Sequence, residues 1–445
     1  HPQDAGSVAH VPLDFLVRLF ARSAAEDLAR YSAEDLVRLA ESAWAFFAAR
    51  KPGAPKLRVA PASLSPAAAQ RSETLIEIVN DDMPFLVDSV LSELQRQGLR
   101  VYLVVHPVLM AERDGAGQLV RYGEGRRESF IHVHVDAVDE TRAARIADGI
   151  GQALGQVRLA VTDWKPMIAR VGQLVAELKA SPPPLPVDDI AEAVQFLEWL
   201  MADNFTFLGI REYALSPSGD GLTPDFGNAL GVMRARDMRV LRRGGELLEF
   251  TPQIMAFLHE PRLLIVTKAN VRSLVHRHVH LDYIGAKHSD SAATLIGEFR
   301  IVGLFTSTAY TRSVRNIPYL RRKFKAIEKR AGFAEDSHSG KALANVIENY
   351  PRDELFQIDE DTLYRFAMAI LQLDERPRVR VLARSDGFDR FVSVLVFVPR
   401  ERYDSRVRER IGVYLARAFA GHVSAYYPSF PEGRLARVHF IIGRD

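Results

Sequence analysis

Cysteine is absent from this chain of 445 residues, which excludes disulfides, thiolate zinc sites, iron–sulfur clusters and a cysteine nucleophile together. Any metal site has to be built from His, Asp and Glu. Long apolar runs are missing as well: stretches such as Val394 to Val398 fall far below the ~18 residues that a membrane-spanning helix needs, so a soluble protein without membrane contact is expected. Excess charge of one sign is also lacking. The 58 Lys+Arg against 56 Asp+Glu leave a net charge of +2, too little for a dedicated nucleic-acid binder. No G-x-G-x-x-G turn, P-loop, G-x-S-x-G elbow or H-E-x-x-H helix is found, and the reading is no catalytic, cofactor or metal residue in this segment. The opening HPQDAGSVAH lacks the pattern of a secretory signal; its His1 start reads as a truncated N-terminus or tag remnant, and the expected compartment is the cytoplasm. What is present is ample: 47% hydrophobic and 26% charged residues support about two to four domains with their own cores.

The pattern along the chain predicts an α+β, multi-domain protein. Residues 11–50 carry apolar positions at helical spacing (Phe15, Leu19, Leu36, Leu39, Ala43) and read as helices, followed by a Pro/Ala/Ser-rich linker from Lys51 to Ala69. Residues 72–165 read as β-α-β-β-α-β: TLIEIV, a helix with Leu86, Val90 and Leu94 on one face that Asp81 or Asp82 caps and Gly98 stops, VYLVVHPVLM, FIHVHVD, a helix with Ile146, Ile150 and Leu154, and VRLAV as the closing strand. Two helices on one side of an antiparallel sheet make this a ferredoxin-like unit. SPPPLPVDD forms a stiff spacer, with Asp189 and Glu192 resembling a capping box. Residues 188–315 then read as a mixed, mostly antiparallel sheet, broken near Ser216 to Asn228 and including SLVHRHVHLDYIGAK as a strand. Residues 316–376 read as a helical connector divided at Gly332, Gly340 and Pro351. Residues 377–445 read as β-β-α-β-β.

Three constellations could carry chemistry. The strand–turn–helix with Asp81, Asp82, Met83, Pro84 and Phe85 offers helix N–H groups to an effector carboxylate, or forms a packing joint with Phe85 buried; two aspartates already compete for those groups, which favours the joint. Arg312, Arg315, Arg321, Arg322 and Lys323, continued by Lys325, Lys329 and Arg330, could dock an acidic partner or another part of the same protein. Alternation also puts His276, His278 and His280 on one face, and His132 with His134 on another. This spacing specifies neither convergence nor a completed ligand set, so no metal is expected.

Several strings are long and specific: NDDMPFLVDSV, FLEWLMADNFTFLGIREY, TKANVRSLVHR, GEFRIVGLFTSTAYTRSVRNIPYLRRKF, SGKALANVIENYPRDELFQI and RFVSVLVFVPRERYDSRVRERI. In this order they resemble the N-terminal part of the large bacterial NAD-dependent glutamate dehydrogenases, from about Ser72 to Asp445. The resemblance implies a parent enzyme that converts L-glutamate, NAD and water to 2-oxoglutarate, ammonia and NADH, with its catalytic region further towards the C-terminus. It implies ACT-like modules at 72–165 and 377–445, a central sheet of PAS type, an amino-acid effector, and contacts with the catalytic region and neighbouring subunits. It departs from ligand-binding ACT modules at one place, where Pro84 is followed by Phe85 instead of glycine. The rival readings are a stand-alone amino-acid sensor and a hydrolase with a metal on the His-rich strand.

Overall fold

The computed structural model describes residues 11–65, 72–216, 221–238, 240–241, 260, 262–289, 294–431 and 433–444. The start HPQDAGSVAH and the end of the Pro/Ala/Ser-rich linker lie outside them. The chain is α+β and divides into two compact units, His1–Val161 with Ser273–Val279, and Thr162–Arg272 with His280–Asp445.

In the first unit, α1 (Leu13–Phe20), α2 (Ala25–Leu28) and α3 (Ala33–Phe47) precede β1 (Lys56–Pro61), β2 (Glu73–Asp81), α4 (Leu86–Arg96), β3 (Val101–Val105), β4 (Val108–Arg113), β5 (Leu119–Tyr122), β6 (Arg126–Asp136) and α5 (Glu140–Thr162). The strands run antiparallel in the order β1-β2-β6-β4-β5, with β3 also on β6. Period-two alternation gives β2 and β6 two distinct faces. One face carries Glu73, Glu77, Val79, Phe130, His132 and His134, and Phe15, Phe46 and Phe47 of the N-terminal helices join Val79 and Phe130 in a single core. On the other face α5 runs along β2, since Val138 N–H donates to Thr74 Oγ1 at 3.1 Å and Arg158 to Asn80 Oδ1 at 2.7 Å. Both faces are thus covered within the unit.

Three expectations are corrected here. VRLAV is not a closing strand but the end of α5, because Val157 and Ala160 extend the buried stripe of Ile146, Ile150, Ala153 and Leu154. The edge place it would have filled belongs to β1, inside the segment read as linker; Leu57 pairs with Ile78 and Val59 with Ile76. VYLVVHPVLM breaks at His106–Pro107 into β3 and β4, as a proline without a ladder donor requires.

The second unit begins with α6 (Trp164–Ala180) and α7 (Val187–Trp199), followed by β7 (Phe205–Leu215), β8 (Leu222–Gly231), β9 (Leu264–Arg272), β10 (His280–Ser289) and β11 (Leu295–Phe305) in the antiparallel order β8-β7-β11-β10-β9. The Gly/Pro-rich break near Ser216 to Asn228 therefore holds most of a strand. Helices α8 (Ser307–Thr311), α9 (Leu320–Ala331), α10 (His338–Glu348), α11 (Arg352–Gln357) and α12 (Glu360–Glu375) come next. Gly332 ends α9 in the left-handed conformation, whereas Gly340 lies inside α10 instead of at a boundary. Then β12 (Arg380–Ser385), β13 (Phe391–Pro399), α13 (Ser405–Ala418), β14 (His422–Ser429) and β15 (Leu435–Gly443) form a sheet ordered β12-β13-β15-β14. This repeats the device of the first unit: the strand before the first β-α-β element takes the edge beside it. One core joins α6, α7, the central sheet, the helices and Leu382, Leu395 and Phe397 of the last sheet.

Candidate functional site

The turn from Asp81 to Phe85 is held by arginines. Arg50, with its side chain only 1% exposed, donates to Asp81 Oδ1 at 2.6 Å, Glu128 Oε1 at 2.8 Å and Ala54 O at 2.8 Å; Arg158 donates to Asp81 Oδ2 at 3.0 Å. Burial alone would raise the Asp81 carboxyl, but these two guanidinium groups outweigh it and hold it below the usual range. Asp82 does not cap α4. It receives Arg127 Nε at 2.9 Å, and the residue before α4 is Phe85, at φ 72°. Met83 is half-buried and Pro84 exposed.

Phe85 is half-buried, not buried as expected. Its ring lies 5.3 Å from that of His276, and Ser89 Oγ donates to Phe85 O at 2.6 Å while receiving His276 N–H at 2.9 Å. Glycine is the residue that adopts this φ freely; a phenyl ring exchanges that freedom for packing. Phe85→Ala keeps the strained φ and loses the ring, so we expect it to destabilise by about 1–2 kcal/mol. Phe85→Gly should be about 1 kcal/mol more stable than the Ala variant. Urea denaturation of both separates strain from packing, and equal stabilities would refute the strain.

Of the basic cluster only Lys323 is buried, while Arg315 and Arg322 stay exposed and pair with acids of the same unit. Arg315 pairs with Glu328 at 2.7 Å, Arg321 with Glu192 at 2.7 Å and Arg322 with Asp189. The two acids read as a capping box thus serve α9 instead, Glu192 also receiving Tyr319 N–H at 2.8 Å. Arg312 is exposed. Lys323 is 6% exposed and so is no part of a docking surface; its ammonium donates to the carbonyls of Leu355, Phe356 and Ile358 at 2.9, 3.1 and 2.7 Å. These lie at the C-terminal end of α11, where carbonyls lack helical partners. Burial, with Arg262 and Arg384 nearby, pulls the amine down to about 7.

The starts of α7, α9 and α12 meet beside Lys323 at a cavity of about 480 Å³. Six carboxylates (Asp189, Glu192, Glu260, Asp359, Glu360, Asp361) line it against three cations (Arg262, Arg322, Lys323). That balance opposes a simple anion, although three helix N-termini alone would favour one. This convergence is not legible in the sequence, since its residues lie far apart in the chain.

His132 and His134 do share a face, fully buried. The second histidine set does not: Ser273–Val279 is a bend between β9 and β10, with His276 at φ 66°, so His276, His278 and His280 are not alternating strand residues. Among the described residues no group of three or more His, Cys, Asp or Glu could hold a metal ion. The close glycines are hairpin residues: a Cβ on Gly117 would meet Arg50 O at 2.2 Å and one on Gly125 would meet Ala111 O at 2.4 Å. They let backbone pack on backbone between strands, which does not fit a dinucleotide pyrophosphate cradled at a helix start.

Comparison with known families resolves what these modules are. Residues 15–150 match the model for the glutamate dehydrogenase ACT1 domain, 317–376 its helical motif 1 and 380–445 its ACT2 domain. The chain belongs to the glutamate dehydrogenase family. It is 37% identical over 434 residues to the NAD-specific glutamate dehydrogenase of Halomonas elongata, covering 94% of this chain and 26% of that protein. It is 33% identical over 443 residues to the namesake from Pseudomonas aeruginosa, covering 97% and 27%, and 27% identical over 377 residues to that of Mycobacterium tuberculosis, covering 82% and 22%. The chain spans about a quarter of the length of these relatives. Within the family's ACT1 match, α1–α3 and β1 are integral: they supply the cover of one sheet face and an edge strand.

Proposed function

We propose that this chain is a non-catalytic regulatory and assembly segment of an NAD-dependent glutamate dehydrogenase, the parent enzyme converting L-glutamate, NAD and water to 2-oxoglutarate, ammonia and NADH in the cytoplasm. The observation that carries this reading is the pair of ACT-domain matches in a chain spanning about a quarter of its relatives. The remaining length supplies the catalytic region, which together with neighbouring subunits is the partner of this segment. The central sheet, antiparallel in the order 2-1-5-4-3, supports a PAS-type module between the two ACT modules. An amino-acid effector, if one acts, does not take the turn at Asp81–Phe85, whose carboxylates are bound by Arg50, Arg158 and Arg127.

The test uses both the segment and the enzyme. The isolated chain should show no turnover of glutamate and no calorimetric heat with NAD at micromolar concentration. Excision of these residues from the full-length enzyme should change its oligomeric state or its response to amino acids. Turnover by the isolated chain, or an excised enzyme with unaltered assembly and regulation, would refute the reading.

A further inference from the structure

The molecule holds a second ionisable centre that the proposed function does not use, on the face of the first sheet beneath the N-terminal helices. His132 and His134 are wholly buried, and their Nε2 atoms face each other at 3.0 Å. His134 Nδ1 lies 2.8 Å from Glu73 Oε2, which also receives Tyr31 O–H at 2.7 Å. His132 Nδ1 lies 3.3 Å from Glu77 Oε1, and Arg58 Nε donates to Glu77 Oε2 at 2.7 Å. Arg30 Nη2 donates to Glu73 Oε1 at 3.1 Å.

Proton positions follow from these contacts. Burial would raise both glutamates, but hydrogen bonds from His134 and Tyr31 on Glu73, and from His132 and Arg58 on Glu77, hold them below their ordinary range and ionised. A carboxylate repels a nitrogen lone pair, so each Nδ1 carries a hydrogen. Tyr31 Oη also lies 3.1 Å from His134 Nδ1, and its one proton goes to the shorter contact, Glu73. The two Nε2 atoms, 3.0 Å apart, then need one hydrogen between them, since two lone pairs or two N–H bonds would repel. We propose that His132 and His134 form a one-proton site, an imidazole–imidazolium pair that fastens α2 and α3 to the sheet and releases them when acid forces a second proton onto it.

Every element packed on the pair contributes to this logic. Tyr31 and Arg30 come from the segment joining α2 to α3, Glu73 and Glu77 from β2, and Arg58 from β1, itself held by Ser42 Oγ of α3 at 2.9 Å. On the other side, β3 presents Leu103 and Val105 opposite His134 and His132, and Phe130 lies beside His132 along β6. These apolar residues provide no solvation for a second charge. Burial first, then the neighbouring His134, pushes His132 down from its ordinary value despite the bond to Glu77. Holding one proton on the pair, the folded chain therefore binds more protons than the unfolded chain above about pH 6.5 and fewer below it, so the stability that the pair contributes is greatest near that pH and is lost with acid.

The test uses the 445-residue chain. Spectra with ¹⁵N-labelled histidine at pH 7.5 should show both Nδ1 atoms protonated and the Nε2 pair sharing one hydrogen. A ring with an unprotonated Nδ1 would overturn the proposal even if no variant folds. Hydrogen exchange of residues 25–47, followed from about pH 6.5 down to about pH 5, should accelerate by up to about tenfold per pH unit beyond its intrinsic pH dependence. His132→Gln keeps hydrogen bonding without accepting a proton and should remove most of that excess. The same excess in His132→Gln as in the unaltered chain would refute the device.

Discussion

Lys323→Met should destabilise the second unit by about 3–5 kcal/mol. The stem of methionine fills nearly the same volume, so the loss falls on the three carbonyls of Leu355, Phe356 and Ile358 that the ammonium bonds. Arginine is no substitute, because its planar fork cannot direct three donors around one nitrogen as an ammonium does. The effect also has a sign with pH. The folded amine titrates at about 7, below the ~10.4 of an exposed lysine, so the unfolded chain binds more protons between these values. The stability contributed by Lys323 therefore rises from neutral pH towards pH 10. Denaturation of both proteins at pH 7 and pH 9 should show the gap widening; a gap below about 1 kcal/mol at either pH would mean that water replaces the amine freely.

Lys323 also marks what could be read from residues alone. It sits in a run of basic residues that sequence spacing makes a surface, and only the fold of α11, more than 25 residues further on, reveals it as a buried donor. Alternation in FIHVHVD correctly put His132 and His134 on one face because β6 is a long strand with partners on both sides. The same alternation misled at His276, His278 and His280, where the bend from Ser273 to Val279 breaks the period. VRLAV shows a further limit. Five residues, four of them apolar, fit a strand or the last turn of a helix equally, and the deciding contact is the i, i+3 stripe begun at Ile146. KLRVAP was hidden by flanking Pro and Ala, yet an edge strand tolerates Pro61 at its end. The ACT modules themselves were legible because their helices and strands carry strong local periods. Their charged centres were not, because Arg50 is 31 residues from Asp81 and 78 from Glu128.

That long-range network yields the other large effect. Arg50→Met should destabilise the first unit by about 2–4 kcal/mol. The guanidinium satisfies Ala54 O, Glu128 and Asp81 together, while its backbone N–H donates to Gly117 O at 2.8 Å, so one residue ties β2, the β4–β5 hairpin and the segment before β1. The loss stays below that of a wholly orphaned charge because Arg113 still donates to both oxygens of Glu128, at 2.9 and 2.8 Å, and Arg158 still reaches Asp81. Asp81, at 36% side-chain exposure, retains some water and is worth less than Glu128 at 5%. The double variant Arg50→Met/Glu128→Gln should therefore recover about 1–2 kcal/mol of the summed single losses, whereas pairing with Asp81→Asn should recover less. Chemical denaturation of the five single and double variants checks the order. Full additivity at Glu128 would show that Arg113 alone neutralises it, and full additivity at Asp81 as well would show that Arg50 does not anchor the turn at Asp81–Phe85.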